Sequence, residues 1–252
     1  DPGFLNHIVT KKPDIVRIYL PFDANTLLCT FEHVIQTKNY INVVIASKHP
    51  SLQWLNMDEA KEHCSKGISI LNWASDVDPD VVLVGAGDTP TLEVFAATDI
   101  LRDNIPDLKI RVVNVVDLMK LVSNVDHPHG LTNDEYDAIF TKDKPIIFAF
   151  HGYPDLIHQL TYKRFNRNLH VHGYIEEGTI TTPFDMRVRN RIDRYHLVLD
   201  VLKYVKVNVK QRNALQKKCN DTLSYHEKYI VENGVDIPEV VNYKWHGKTN
   251  NI

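Results

Sequence analysis

Four apolar, β-branched runs in the middle of the chain constrain its fold more than any other feature. Val81–Val84, Ile110–Val115, Ile146–Phe150 and Leu169–Val171 alternate with helical patterns that begin near Pro90, Asn133 and Pro154. Strands buried on both faces read as near-continuous apolar runs, and a strand–helix–strand rhythm lays helices over both faces of a parallel sheet. The spacing predicts an α/β domain with a mostly parallel sheet and flanking helices. Each run is too short to span a bilayer.

A smaller unit precedes this domain. Ile15–Leu20 and Ile41–Ser47 are strand-like, and between them Asp23 is placed to cap a helix with apolar positions Leu27, Leu28, Phe31, Val34 and Ile35. That is one β-α-β unit. The connector KHPSLQWLN follows, then a short helix from about Asp58 to Lys66 stopped by Gly67. The expected division is residues 1–55 and 56–252. With 43% hydrophobic residues in 252, the chain can bury a substantial core.

The segment Gly173–His196, GYIEEGTITTPFDMRVRNRIDRYH, runs from a turn-rich acidic loop into a helix. Thr182 suits the N-cap, Pro183 the first helical position, and Asp185 the first turn, where a carboxylate meets unpaired amides. One helix is predicted from Pro183 toward Val205, with Phe184, Val188, Ile192, Tyr195, Leu199 and Leu202 as its inward stripe. Arg187, Arg191 and Arg194 then share a face that can bind an anion, pair with local acids or meet a second subunit. Asn208–Ile252 is more polar and reads as one helix to about Asn233-Gly234, then an irregular tail.

Charge and cysteines exclude several classes. The 29 basic and 32 acidic residues leave a net charge of −3, which gives no bulk electrostatic case for binding nucleic acid or an anionic membrane. Cys29, Cys64 and Cys219 lie far apart without CxxC spacing, against a disulfide framework or a zinc site. Reduced thiols in cytoplasm fit this pattern. Among thirteen histidines, only His127/His129 and His170/His172 are closely paired, and neither pair has a third ligand at a zinc spacing.

Three places can carry chemistry. GAGDTP at 85–90 follows a strand and opens a helix, as a nucleotide site would, but Pro90 stands where a dinucleotide fold needs glycine and Asp88 opposes a pyrophosphate. A tight turn capped by Asp88 or Thr89 is the simpler reading. His151 follows the apolar strand IIFAF, where ligands of parallel sheets gather. Lys48 stands just past INVVIAS and before His49, offering an ammonium at the carboxyl end of a sheet, though a solvated lysine is the ordinary occupant of such a place.

The Gly173–His196 segment, together with NYINVVIASKHPSLQWL, DVVLVGAGDTPTLE and KPIIFAFHGY, resembles the C-terminal region of phosphoketolases. The resemblance implies a transketolase-type C-terminal α/β domain preceded by the tail of a pyrimidine-binding domain. It implies a thiamine-diphosphate and magnesium enzyme that cleaves xylulose 5-phosphate or fructose 6-phosphate with inorganic phosphate to acetyl phosphate. The partners implied are two larger thiamine-binding domains ahead of this region and a second subunit. Lys48 matches the position where relatives contact the sugar phosphate, with His49 beside it where many have glutamine. The GDG signature that holds the cofactor diphosphate does not occur, and the glutamate that activates the cofactor ring belongs to an earlier part. A non-catalytic assembly module and a nucleotide-binding oxidoreductase domain remain the alternatives.

Overall fold

The computed structural model describes residues 2–47, 51–175 and 180–245. Helix α1 (Gly3–Val9) leads into strand β1 (Val16–Tyr19), helix α2 (Ala24–Gln36) and strand β2 (Ile41–Val44), with β1 and β2 paired in parallel. Asp23 caps α2 as expected, exchanging hydrogen bonds with Thr26 in a capping box. The apolar stripe of α2 behaves differently from the expectation. Leu28, Phe31 and Ile35 are 59%, 56% and 67% exposed, so among the described residues that face has little to pack on.

Helix α3 (Met57–Lys66) has an Asn56–Glu59 capping box and ends at Gly67, whose φ of +72° is the left-handed value glycine adopts without strain. The main sheet follows: β3 (Ile68–Ile70), β4 (Val81–Ala86), β5 (Ile110–Val115), β6 (Ile146–Phe150) and β7 (Leu169–His172), in the order β3-β5-β4-β6-β7. Only β3 is antiparallel. Helices α4 (Asp88–Asn104), α5 (Asn133–Phe140) and α6 (Pro154–Thr161) make the crossovers. Strand side chains alternate between faces. Val81, Leu83, Val112 and Ile147 therefore join one core, while Val82, Val84, Val113 and Phe148 join the other.

The single helix expected from Pro183 to Val205 is two. Helix α7 (Pro183–Arg189) ends at Asn190, Arg191 takes φ +56°, and Asp193 caps a new helix α8 (Arg194–Tyr204) through the amides of Tyr195 and His196. The break re-phases the stripe. Leu197, Val198, Val201 and Leu202 enter the core of the α4 side, whereas Ile192 and Leu199 are half-buried. Thr182 holds the N-cap position of α7 as expected, but its hydroxyl makes no capping hydrogen bond. The Phe184 amide donates instead to Asp236, which lies between α9 (Val209–Asn233) and α10 (Pro238–Val241). No helix among the described residues is long and apolar enough to cross a membrane.

A buried polar chain crosses between α3 and α4. His63 pairs with Ser69 through Nδ1 and with Asn114 Oδ1 through Nε2 at 2.8 Å. Asn114 donates to the Gly85 carbonyl and to Thr91 Oγ1, and Thr91 donates to the Gly87 carbonyl. Burial pushes the His63 imidazole below its ordinary value, and burial does the same to His127 beside β1. Both rings are therefore neutral when folded. An unfolded chain takes up their protons below about pH 6.5, so their contribution to stability is complete above that pH and is lost as pH falls toward the folded values. Thermal unfolding is expected to show a lower Tm at pH 5.5 than at pH 7.5, with a shallower slope in His63→Gln. Equal slopes for the two proteins would remove His63 from that account.

Candidate functional site

The sheet order makes one position special. From β4 the chain crosses to β5 on one side and returns past β4 to β6 on the other, so the carboxyl ends of β4 and β6 form a topological switch point, where open α/β sheets leave a crevice. Gly87 and Asp88 follow β4 there, and His151 and Gly152 follow β6. Gly87 has φ +101°, and a Cβ on it would lie 2.8 Å from the His151 Cβ. The two strand ends thus touch.

Asp88 is largely buried and its Oδ1 lies 3.6 Å from His151 Nδ1. Burial pushes the carboxyl up, but the neighbouring His151 ring, the Thr89 amide and the Ser47 hydroxyl outweigh it and hold Asp88 low. Asp88 is therefore an anion. It does not cap α4 in the way the sequence predicts, because the helix cap is Gly87 and carries no side-chain bond. Ser47, two residues beyond the last backbone pairing of β2, brings the end of the small sheet to the same place. Lys48 and His49 come next in the chain and lie outside the described residues.

A repeated tripeptide braces the site, and sequence reasoning passed over it. His151-Gly152-Tyr153 follows β6 and His172-Gly173-Tyr174 ends β7. The Gly152 carbonyl accepts from the Tyr174 amide, the Tyr153 and Tyr174 rings lie 5.7 Å apart, and a Cβ on Gly173 would collide with the Gly152 carbonyl. The two glycines permit that approach. The repetition after adjacent strands was the available signal.

His170 and His172 both face α8. His172 bonds Asp200, and His170 stacks on Tyr204. His129 lies 2.5 Å from Asp117 through Nδ1 and accepts from Arg17 Nε at 3.0 Å. His127 takes the His129 amide on Nδ1, which leaves Nε2 to donate to the Val16 carbonyl. These pairs join strands and units rather than a metal. Among the described residues, no three His, Cys, Asp or Glu side chains converge as a metal site.

The three arginines are not on one helix face, because the α7–α8 break separates them. Glu93 of α4, fully buried, accepts from Arg187 Nη1 at 2.7 Å and from Arg194 Nε and Nη2 at 2.9 and 3.1 Å. It also accepts the Arg194 amide. Burial pushes the Glu93 carboxyl up, but the two guanidiniums outweigh this and keep it ionised. Arg189 pairs with Asp185, and Arg191 is exposed. The lone charged residue in the run TLEVFAA was the missed clue to where the cations go.

The glycine turn does not fit a diphosphate. His151 fills the space over Gly87, Thr91 lies against Gly85, and the Asp88 carboxylate holds a negative charge where phosphate oxygens would approach. That disposes of GAGDTP as a nucleotide cradle.

The fold is that of transketolases. The structure superposes on a transketolase variant from Pichia stipitis with a TM-score of 0.58 at 14% identity, covering 80% of this chain and 26% of that one. A chain described as a split gene transketolase, inactive beta4 tetramer, gives 0.59 at 11% identity over 80% of this chain and 60% of that one. Within that class the chain belongs to the phosphoketolases. Residues 48–245 match the XFP C-terminal domain, and residues 1–37 match D-xylulose 5-phosphate/D-fructose 6-phosphate phosphoketolase. It is 57% identical to a probable phosphoketolase of Clostridium acetobutylicum and 54% identical to one of Rhodopirellula baltica. These alignments cover 98% and 99% of the chain but 31% and 32% of the relatives.

Proposed function

We propose that the chain works as the C-terminal part of a thiamine-diphosphate phosphoketolase that cleaves xylulose 5-phosphate or fructose 6-phosphate with inorganic phosphate to acetyl phosphate. The observation that carries this reading is the uncovered N-terminal unit. A two-stranded sheet is marginal alone, and here α2 presents Leu28, Phe31 and Ile35 to solvent while Ile41 opens the β2 edge. Preceding domains of the same polypeptide would cover that face. The split at residue 55 belongs to the same proposal, with residues 1–55 the tail of the pyrimidine-binding domain and its linker. Thiamine diphosphate and magnesium would be held by those earlier domains, a reading supported by the poor fit of the 85–90 glycine turn to a diphosphate.

The switch-point crevice is then the part of this chain nearest the chemistry. Ser47 bonds Asp88, whose other neighbour is His151, and Lys48, one residue on, would supply the cation for the sugar phosphate, with His49 beside it. A fixed cation stabilises an anion where water is excluded. Arg191, exposed at the α7–α8 corner, is our candidate for a contact with a second subunit in a homo-oligomer.

The chain by itself is expected to form no acetyl phosphate and to show no saturable uptake of thiamine diphosphate with magnesium in a calorimetric titration. Saturable binding would overturn the division of labour. In the complete polypeptide, Lys48→Ala should cost about 1.5–3 kcal/mol of transition-state stabilisation, the range for a charge-assisted hydrogen bond. That is a loss of about 10- to 150-fold in kcat/KM for the phosphorylated sugar. Unchanged kinetics in a folded variant would remove Lys48 from the site.

A further inference from the structure

The sequence separation of the cysteines hides a proximity. Cys29 of α2 and Cys64 of α3 come together where those helices pack, Cys64 lying against the α2 turn that carries Cys29 and both lining one cavity. Met57 Sδ lies 3.6 Å from Cys29 Sγ, and Cys64 Sγ lies 3.6 Å from the Thr26 carbonyl and 3.9 Å from Thr30 Oγ1. Neither thiol is sealed off. Both are half-buried and line a cavity of about 250 Å³ with Tyr19, Thr30, His33 and Lys61, large enough to admit a small oxidant. Cys219 is buried on α9 and lines no part of that cavity.

We propose that Cys29 and Cys64 form a reversible intramolecular disulfide when the protein meets a hydroperoxide. Cys29 is the first nucleophile, because Lys61 favours its thiolate. Its sulfur attacks one peroxide oxygen, the O–O bond breaks, and hydroxide leaves to take up the thiol proton as water. Cys29 is now a sulfenic acid. The Cys64 sulfur then attacks the Cys29 sulfur, the S–O bond breaks, and the second hydroxide leaves as water with the Cys64 proton. Two thiols have lost two electrons to one peroxide, with two waters formed. Burial pushes both thiols up, Cys64 to about 12. The reaction is therefore slow at neutral pH and faster in mild alkali.

The bond would reach across a junction. Cys29 lies in the segment that matches the phosphoketolase family at 1–37, and Cys64 lies in the C-terminal domain at 48–245. The loop it closes contains β2 and Ser47. A disulfide there fastens the small sheet to the large one and shortens the reach of the segment between them.

The purified native protein is treated with hydrogen peroxide, alkylated in denaturant, digested without reductant and mapped by mass spectrometry. A peptide linking Cys29 to Cys64, lighter by two hydrogens than its parts, lost on adding dithiothreitol and formed faster as pH rises, is the expected result. Cys219 should remain alkylated in the same sample. Free Cys29 and Cys64 at peroxide levels that oxidise exposed methionines would overturn the proposal. So would separate conversion of the two cysteines to sulfinic acids, or linkage of either to Cys219. In Cys64→Ser, Cys29 should still be oxidised but no linked peptide should form.

Discussion

Glu93→Ala is expected to destabilise the folded chain by about 3–5 kcal/mol, the cost of removing one partner from a buried ionic cluster. The size follows from what is left behind. Arg194 is 3% exposed, its guanidinium lies over Tyr243 and Phe184, and its two bonds to Glu93 are the ion pair that offsets its burial. Arg187 loses its carboxylate as well, and the Arg194 amide loses its acceptor. Glu93→Gln should also be costly, because it keeps the shape but removes the charge. Replacing the whole cluster by apolar residues, Glu93→Leu with Arg187→Met and Arg194→Met, should recover much of the loss. Urea denaturation measures all three. A Glu93→Ala change below about 1 kcal/mol would mean that water reaches the arginines and that the cluster is less buried than it looks.

Arg164→Met should rank beside it, at about 3–5 kcal/mol, for a different reason. Arg164 is buried, and among the described residues no carboxylate lies in bonding range; its guanidinium instead ties together backbone carbonyls. Nε donates to Leu121, Nη2 to Val122 and Leu131, and Nη1 to Asn133 Oδ1, while the group lies 4.4 Å over the Tyr136 ring. Methionine fills similar volume but leaves those carbonyls facing a thioether, at roughly 1–3 kcal/mol for each orphaned group. Arg164→Lys should not rescue it, since one ammonium cannot reproduce a planar fork. Hydrogen exchange is expected to quicken first between residues 118 and 133, the segment these bonds hold. Exchange that rises evenly across the sheet instead would point to loss of core volume as the cause.

The fold was legible where burial dominates the sequence. Strands covered on both faces must be apolar at nearly every position, so β4, β5 and β6 could be read directly. Strand β3 could not. It is three residues long, half-buried and antiparallel at the edge, and it carries too little pattern to separate from a turn. Helix α1 has no capping side chain and no long stripe. The α7–α8 break was invisible because the apolar period runs on through Asn190–Asp193, and only the left-handed backbone at Arg191 interrupts it.

At the site, His151 was accessible from its place after an apolar strand, whereas its companions were not. Asp88 was read as a cap because an acid at a helix start has that ordinary use. What redirects it is His151 at the end of β6, joined by Ser47 from outside the main sheet. Partners far apart in sequence, such as Glu93 with Arg194 or Cys29 with Cys64, are set by how helices pack, and no local spacing encodes them.

Helix α4 starts at the switch point with Asp88, and five residues later, about 7.5 Å along its axis, Glu93 bolts it to the corner between α7 and α8. The helix therefore acts as a short rigid strut with an anionic end and an anchored flank. If a neighbouring subunit tugs at the exposed Arg191 corner, the strut shifts as a body and carries the Asp88 carboxylate with it relative to His151. Substitutions that reshape the corner should therefore register as altered geometry at Asp88 before they register as a loosened helix.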